Sequence, residues 1–328
     1  MEGRGRIVVC GEALMDVVPA GDGTQRVMPG GGPFNTARAL ARLGAPVSFL
    51  GRLSTDDFGR MLTSLLVADG VDLSLASFGP EPTTRAIAEV DRAGRAAYRF
   101  VIEGTSAPNL TPEMLPSALP PDIAALHIGT LGLVLEPMAS TLAGLVRRDG
   151  ERLLVMVDPN IRPAVLDGDA AAYRARLGDV IARSAVVKTS DDDLDWLYPD
   201  LDVESAMARF LDAGARLIAV TLAQAGAVGA IGTVRVRVGA PKVEVTDTIG
   251  AGDVFGAALL AWLHEHGKLK VDLSLGPHDL ESALEFACLA ASLTCTRAGA
   301  DPPSRLEVIG DERLRISSSA EDTPGPAA

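Results

Sequence analysis

The residues best suited to chemistry in this chain are Asp253 and the three small residues before it, Gly250, Ala251 and Gly252. They lie at the junction of two patterns. Lys242 to Val245 alternates polar and apolar residues and reads as a short strand, whereas Val254 to His266 is almost continuously apolar and reads as a buried helix that stops near Gly267. A turn of minimal side chains at a helix start lets backbone N–H groups approach an anion closely, and the helix dipole adds positive potential. Asp253 puts a carboxylate at the lip of that nest. Amides that stabilise a moving phosphoryl group, beside an acid that takes a hydroxyl proton, are the parts phosphoryl transfer needs. For these four residues alone, a tight glycine turn with a capping Asp is an equally plain reading.

Such a turn must be positioned by a sheet. From Ala124 onward, strands at Leu126–Gly129, Leu153–Val157, Ala185–Lys188 and Leu217–Leu222 alternate with helical segments around 137–148, 169–183 and 203–213. That rhythm predicts a doubly wound, mainly parallel α/β sheet flanked by helices. Arg6 to Cys10 reads as an earlier strand buried on both faces, with Asp16 following near its carboxyl end, where open α/β sheets place ligands. Residues 21–29 read as turn-rich. Gly30, Gly31 and Gly32 precede a helix with Pro33 in its first position and Gly44 as its stop, and serve either as punctuation or as a hinge that a ligand can approach.

Ala86–Val90 and Arg95–Val101 flank Asp91-Arg92-Ala93-Gly94, a hairpin signal. Tyr98 and Phe100 alternate onto one face of it, for packing or for a ligand. Asp56 and Asp57 read as caps of a helix beginning near Phe58, and His127 as a core histidine. Val234–Val238 reads as an antiparallel edge strand with one wet face, and Ala283–Thr294 as a small-residue helix.

The 328 residues suffice for one large α/β domain or two ordinary ones, and 47% apolar residues for a substantial core. A net charge of −13 argues against nucleic acid or an anionic membrane as partner, although a local nest of amides still binds an anion. Cys10, Cys288 and Cys295 are odd in number, lack metal spacing and lie in apolar surroundings, so they read as buried thiols in a reducing cytosol. Ile7-Val8-Val9 is too short an apolar run for a signal peptide or a membrane span. The expectation is a soluble cytoplasmic protein of one domain over residues 1–316, with 317–328 a disordered tail.

The full string Asp247-Thr248-Ile249-Gly250-Ala251-Gly252-Asp253 resembles the C-terminal signature of the ribokinase-like (PfkB) family of carbohydrate kinases. Gly31-Gly32, Asn35, Ala39, Leu43-Gly44 and Val47 to Gly59 resemble its N-terminal signature, in the family's order, and the likeness spans roughly residues 6–305. The resemblance implies Asp253 as catalytic base and the amides of Gly250, Ala251 and Gly252 as anion hole. It implies Asp16 and Asn35 as ligands of sugar hydroxyls, and Gly31-Gly32 as a sugar-touching hinge. The lid would be a small β-sheet drawn from about 12–32 and 84–104.

Asp158-Pro159-Asn160-Ile161-Arg162 is similar to a cleft-facing stretch of fructokinase-like members. There Arg162 would meet phosphate or a substrate carboxylate; an ordinary turn is the alternative. For ATP, Thr221-Leu222-Ala223-Gln224-Ala225-Gly226 resembles the family's nucleotide loop, with Ala223 replacing a glycine, so that a somewhat different turn is expected. Gly252 would also touch the nucleotide, and the helix over 283–294 would border its adenine. Ser190 and Asp193 stand where many members carry Asn-x-x-Glu to order Mg²⁺ through water; the alternative is Ser190 as a helix N-cap. Asp247, Ile249 and the loop Thr296–Ala300 would hold a monovalent cation, K⁺, beside the anion hole. Lid-to-lid homodimers occur in the family, and no pattern here demands one.

Gly-x-Gly-x-x-Gly and the P-loop string are both missing, so a dehydrogenase is a weak rival. His264-Glu265-His266 lacks zincin spacing, and there is no Gly-x-Ser-x-Gly. A sugar sensor on a kinase fold is the better rival, although binding alone does not require Asp253. Gly-Glu-Ala-Leu-x-Asp at residue 11 and Cys-Thr-Arg-x-Gly-Ala at 295 resemble bacterial fructokinases most, shading into 2-keto-3-deoxygluconate kinases. With 4% aromatic residues, the chain is poorly equipped to stack a nucleoside base.

Overall fold

Ile7 and Val9 pack on one face of the first strand and Val8 and Cys10 on the other, so this strand is central to two apolar layers. The computed structural model describes residues 5–19, 24–90, 96–166 and 170–311. The hairpin turn expected at 91–94 and the tail at 317–328 lie outside the described residues, as does the Tyr98 side chain.

The first half runs β1 (Arg6–Cys10), β2 (Leu14–Pro19), β3 (Gln25–Gly30), α1 (Gly32–Arg42), β4 (Val47–Leu50), β5 (Arg52–Ser54), α2 (Asp57–Asp69), β6 (Ser77–Gly79), β7 (Arg85–Val90) and β8 (Ala96–Val101). The second half runs β9 (Ile123–Gly129), α3 (Met138–Asp149), β10 (Leu154–Asp158), α4 (Ala170–Ile181), β11 (Val186–Ser190), α5 (Asp191–Leu197) and α6 (Val203–Asp212). It ends with β12 (Leu217–Thr221), β13 (Ala227–Ile231), β14 (Val234–Val238), α7 (Ala251–Glu265), α8 (Pro277–Cys295) and α9 (Arg305–Gly310).

Eight strands form the central sheet in the order β14-β13-β12-β11-β10-β9-β1-β4. The pairs from β4 to β12 are parallel, and β13 and β14 close the far edge antiparallel. From β1 the chain steps to β4 on one side and later to β9 on the other, so the strand order reverses between β1 and β9. Open sheets of this kind bind ligands outside the carboxyl ends of the strands at that reversal. Helices α1, α2, α7 and α8 cover one face with Phe34, Leu40, Leu66 and Phe255. Helices α3 to α6 cover the other with Leu142, Leu177 and Phe210.

A second, four-stranded sheet in the order β3-β2-β7-β8 springs from the carboxyl edge, with β2 and β7 parallel and the outer pairs antiparallel. Within the small sheet expected over 12–32, residues 25–29 read as turn-rich yet belong to strand β3, where Val27 and Met28 pair with Val17 and Asp16 on β2. Lys242–Val245 is not a strand. Its alternation has no partner, since β14 already ends the sheet on that side, and Val245 is exposed. Helix α8 begins six residues before Ala283, at Pro277, a residue preset for the first turn.

Asp56 caps α2 by accepting the Gly59 N–H at 2.7 Å, as its position predicts. Cys10 and Cys288 are buried thiols and Cys295 is half-buried. Among the described residues, no helix is long and apolar enough to cross a membrane.

Candidate active site

Helix α7 starts three residues earlier than its apolar run suggests, at Ala251, with Gly250 in the left-handed region (φ 79°) at its N-cap. Only glycine takes that conformation freely, and a Cβ there would come within 2.6 Å of the Ala300 Cβ. Loop 296–300 is thus laid directly on the turn. Asp247 ties the two together, accepting the Ile249 N–H at 3.0 Å and the Gly299 N–H at 2.9 Å.

Asp253 follows in the first turn of α7, where the first backbone N–H groups of a helix lack internal partners and the dipole favours negative charge. Its carboxylate accepts a hydrogen bond from Asn35 Nδ2 at 2.8 Å, which joins the start of α7 to the start of α1. Burial raises the pKa of Asp253; the bond from Asn35 and the charges of Lys188 and Arg162 pull the other way without cancelling the shift.

Before Asp253 opens a cleft of about 480 Å³ between the edge of the central sheet and the four-stranded sheet. Glu12, Asp16, Gly32, Asn35, Arg162 and Gly252 are among its walls, so the sequence-predicted acceptor residues and the anion-hole turn meet around one space. Gly31 also lines it, held at φ 105° with no room for a side chain against the Glu12 carbonyl. Asp16 lies on β2 of the four-stranded sheet. Burial and then the Asp253 charge lift its pKa to about 6. Phe100, from β8 of the same sheet, lines the cleft as well.

Sequence reasoning gave no role to Glu12, Thr130 and Lys188, and placed Asp158 and Asn160 only as members of a cleft-facing stretch. Glu12 is fully buried, with Oε1 accepting the Gly32 N–H at 3.2 Å. Thr130 and Asn160, at the ends of β9 and β10, both take left-handed backbone conformations (φ 50° and 39°), and Asn160 Nδ2 donates to Thr130 Oγ1 at 3.1 Å. Strain of this kind, costing roughly 1–3 kcal/mol per residue, gathers where a site over-determines the backbone. Lys188 forms a fully buried ion pair with Asp158 at 2.8 Å, and its Nζ lies 3.1 Å from where a Gly252 side chain would begin. Burial alone would lower the pKa of Lys188, but the Asp158, Asp193 and Asp253 carboxylates outweigh it and hold the amine charged. A lysine inside an apolar strand, one strand away from an Asp at a strand end, was the available signal.

Of the nucleotide-side residues of the sequence reading, Gly252 lines the cleft, whereas Ser190, Thr221, Ala223 and Gly226 are not among its walls. Ser190 and Thr221 are register partners at the ends of β11 and β12. Ser190 is the N-cap of α5 in a reciprocal capping box with Asp193. Both Asp193 oxygens are engaged, one by the Ile161 N–H at 2.7 Å, the other by the Ser190 N–H at 3.2 Å and the Thr189 hydroxyl at 3.3 Å. The pair therefore builds the fold, and Asp193 does not stand free in the cleft. Ala223 takes φ 46°, so the left-handed turn expected of a glycine is kept despite the side chain, and Gly226 follows at φ 90°.

A carboxylate at an anion-binding helix start, facing a polar cleft at the reversal point of a doubly wound sheet, is the build of a small-molecule phosphotransferase. The family model described as pfkB family carbohydrate kinase matches residues 4–306. The fructokinase of Rhizobium leguminosarum bv. trifolii is 38% identical over 261 residues, which cover 78% of this chain and 79% of that protein. Among solved structures, fructokinase with bound ATP from Xylella fastidiosa superposes with a TM-score of 0.86 at 26% identity, covering 96% of this chain and 99% of that one. Fructokinase from Vibrio cholerae O395 with fructose, ADP and calcium ion reaches 0.82 at 26% identity, covering 94% and 98%. The chain belongs to the pfkB family of carbohydrate kinases.

Proposed function

We propose that this chain transfers the γ-phosphoryl group of ATP to a hydroxyl of fructose. The observation that carries the reading is the bond from Asn35 to Asp253, which sets a buried carboxylate beside the Gly250–Asp253 amides and toward a cleft walled by Asp16 and Arg162. The fructokinase relatives support fructose as acceptor.

ATP, when bound, supplies the phosphoryl group. Asp253 takes the proton of the acceptor hydroxyl, a role suited to a carboxylate whose pKa burial has raised. The amides of Gly250, Ala251, Gly252 and Asp253 hold the charge of the group in transit, and buried Lys188 adds positive potential from behind Gly252. Asp16, Gly31, Gly32 and Asn35 orient the sugar; Asn35 Oδ1 is a buried acceptor without a partner in the described chain, ready for a hydroxyl. Arg162 offers a guanidinium to phosphate or to an acidic acceptor. The turn from Thr221 through Ala223 to Gly226, with Ser190 beside it, forms the nucleotide floor. The sheet built on β2, β3, β7 and β8 excludes water, which suppresses hydrolysis.

The residues do not form a direct Mg²⁺ site. Among the described residues no three His, Cys, Asp or Glu side chains gather to hold a metal, and Asp193, whose Oδ1 accepts only the Ile161 N–H, keeps a lone pair through which it would order a water on Mg²⁺. Asp247 fits a monovalent cation such as K⁺ better, since each oxygen accepts one N–H and keeps a further lone pair.

The test is ADP release with Mg-ATP across fructose, ribose, 2-keto-3-deoxygluconate, inosine, adenosine and no sugar, with Asp253→Asn alongside. Fructose should give the highest kcat/KM, and the Asn variant should lose about 10²–10⁴ in kcat. If no sugar stimulates turnover while one still raises thermal stability, the chain is a sensor.

A further inference from the structure

Glu12 lies in the segment joining β1 to β2, where the central sheet hands the chain to the lid. Its side chain has no exposed surface. One carboxyl oxygen holds the Gly32 N–H, and the missing Cβ of Gly31 leaves room for the Glu12 carbonyl, which such a Cβ would meet at 2.9 Å. Glu12 thereby grips both residues of the Gly31–Gly32 hinge. Its second oxygen, Oε2, is buried and has no partner among the described residues, although Glu12 is part of the cleft wall.

The charges facing this side chain make ionisation costly. Asp253 from α7 and Asp16 from β2 share the cleft with it, and Arg162, after β10, is the one cation among the described cleft residues. Three carboxylates around one guanidinium cannot all stay charged at low cost, least of all one whose side chain is wholly buried. Of the three, Glu12 is the most deeply buried, and an ionised Oε2 would be an unpaired buried charge. A protonated Oε2 is instead a hydrogen-bond donor.

We infer that Glu12 is a positioning residue for the acceptor, which as a neutral carboxylic acid holds the lid hinge through Oε1 and donates from Oε2 to a hydroxyl oxygen of the sugar. The proposal rests on the sugar-kinase reading and deepens its acceptor half. Burial pushes the Glu12 pKa up to about 8, with the Asp253 charge adding to the shift, so the proton stays in place at neutral pH. The arrangement suits a polyol, whose hydroxyls accept as well as donate.

The test compares wild type, Glu12→Gln and Glu12→Ala. Gln keeps the shape and a donor; Ala removes both. Glu12→Ala should raise the fructose KM about tenfold, the worth of one such bond, and leave the ATP KM nearly unchanged. Glu12→Gln should recover most of that loss and should lack the rise in fructose KM that wild type shows above about pH 8. Carboxyl ¹³C titration of sugar-free protein gives a readout independent of turnover: one glutamate resonance, absent from Glu12→Gln, should titrate near pH 8 and move on adding fructose. The proposal is overturned if Gln fails as badly as Ala, if every glutamate titrates in the ordinary range, or if fructose leaves that resonance unmoved. If wild type turns over no sugar while the resonance titrates and responds to fructose, the kinase reading falls and the Glu12 contact stands.

Discussion

Asn35 and Asp253, 218 positions apart in the chain, are 2.8 Å apart through Nδ2 and Oδ2, and the two helix starts that carry them are locked together by this bond. The Thr36 hydroxyl reinforces it, donating to the Asp253 carbonyl at 3.5 Å. The bond also tunes the base, because a donor to the ionised carboxylate lowers its pKa against the rise that burial causes.

Asn35→Ala should therefore shift the acid limb of the kcat/KM profile to higher pH. Removing the donor leaves only burial and the two cations to set the pKa of Asp253, which rises further, so the base is protonated at pH values where wild type is active. A kcat/KM profile for fructose from pH 5 to 9 checks this. An acid limb that does not move would mean that another group sets it.

The Lys188–Asp158 pair is fully buried, so removing one partner strands the other. Lys188→Met should cost about 3–5 kcal/mol in urea unfolding. Adding Asp158→Asn should restore part of that stability and none of the activity, if the cation behind Gly252 serves the phosphoryl group. Stability and kcat measured on both variants separate the two roles.

Ala223 holds φ 46°, a region where a side chain costs about 1–2 kcal/mol. Ala223→Gly removes that strain but gives back entropy to the unfolded chain, so a net gain of up to about 1 kcal/mol is expected. Ala223→Val, β-branched, should instead destabilise. Urea midpoints for the three proteins decide it.

Stability should also depend on pH in two opposed ways. Glu12 binds its proton more tightly when folded, so its contribution is full below about pH 4.5 and is lost as pH rises toward about 8. His127 is buried neutral with both ring nitrogens unpartnered among the described residues, and burial lowers its pKa to about 3. Its contribution is full above its ordinary value of 6.5 and is lost as pH falls through 3. Glu12→Gln should flatten the decline in unfolding free energy between pH 6 and 8.5, and His127→Leu should flatten the decline on the acid side. Chemical denaturation from about pH 3 to 8.5 is the measurement.

The sequence by itself determined the parts of this protein that are local. The βα rhythm defined the doubly wound sheet, and Gly250-Ala251-Gly252-Asp253 marked a helix start able to hold an anion, because dihedral freedom, capping and apolar period are properties of neighbouring residues. Lys242–Val245 failed as a strand for a reason no local pattern contains, the lack of a partner beyond β14. For Ser190 and Asp193 the residue types suited metal or cap alike, and only the fold brings the Ile161 N–H within reach of Asp193. Glu12, Thr130 and Lys188 became visible only in three dimensions, as did the pairing of Asp158 with Lys188. Each owes its role to a contact across strands or to burial beside another charge, and those energies exist only once the sheet has brought distant residues within a few ångströms and shut out the water that would otherwise screen them.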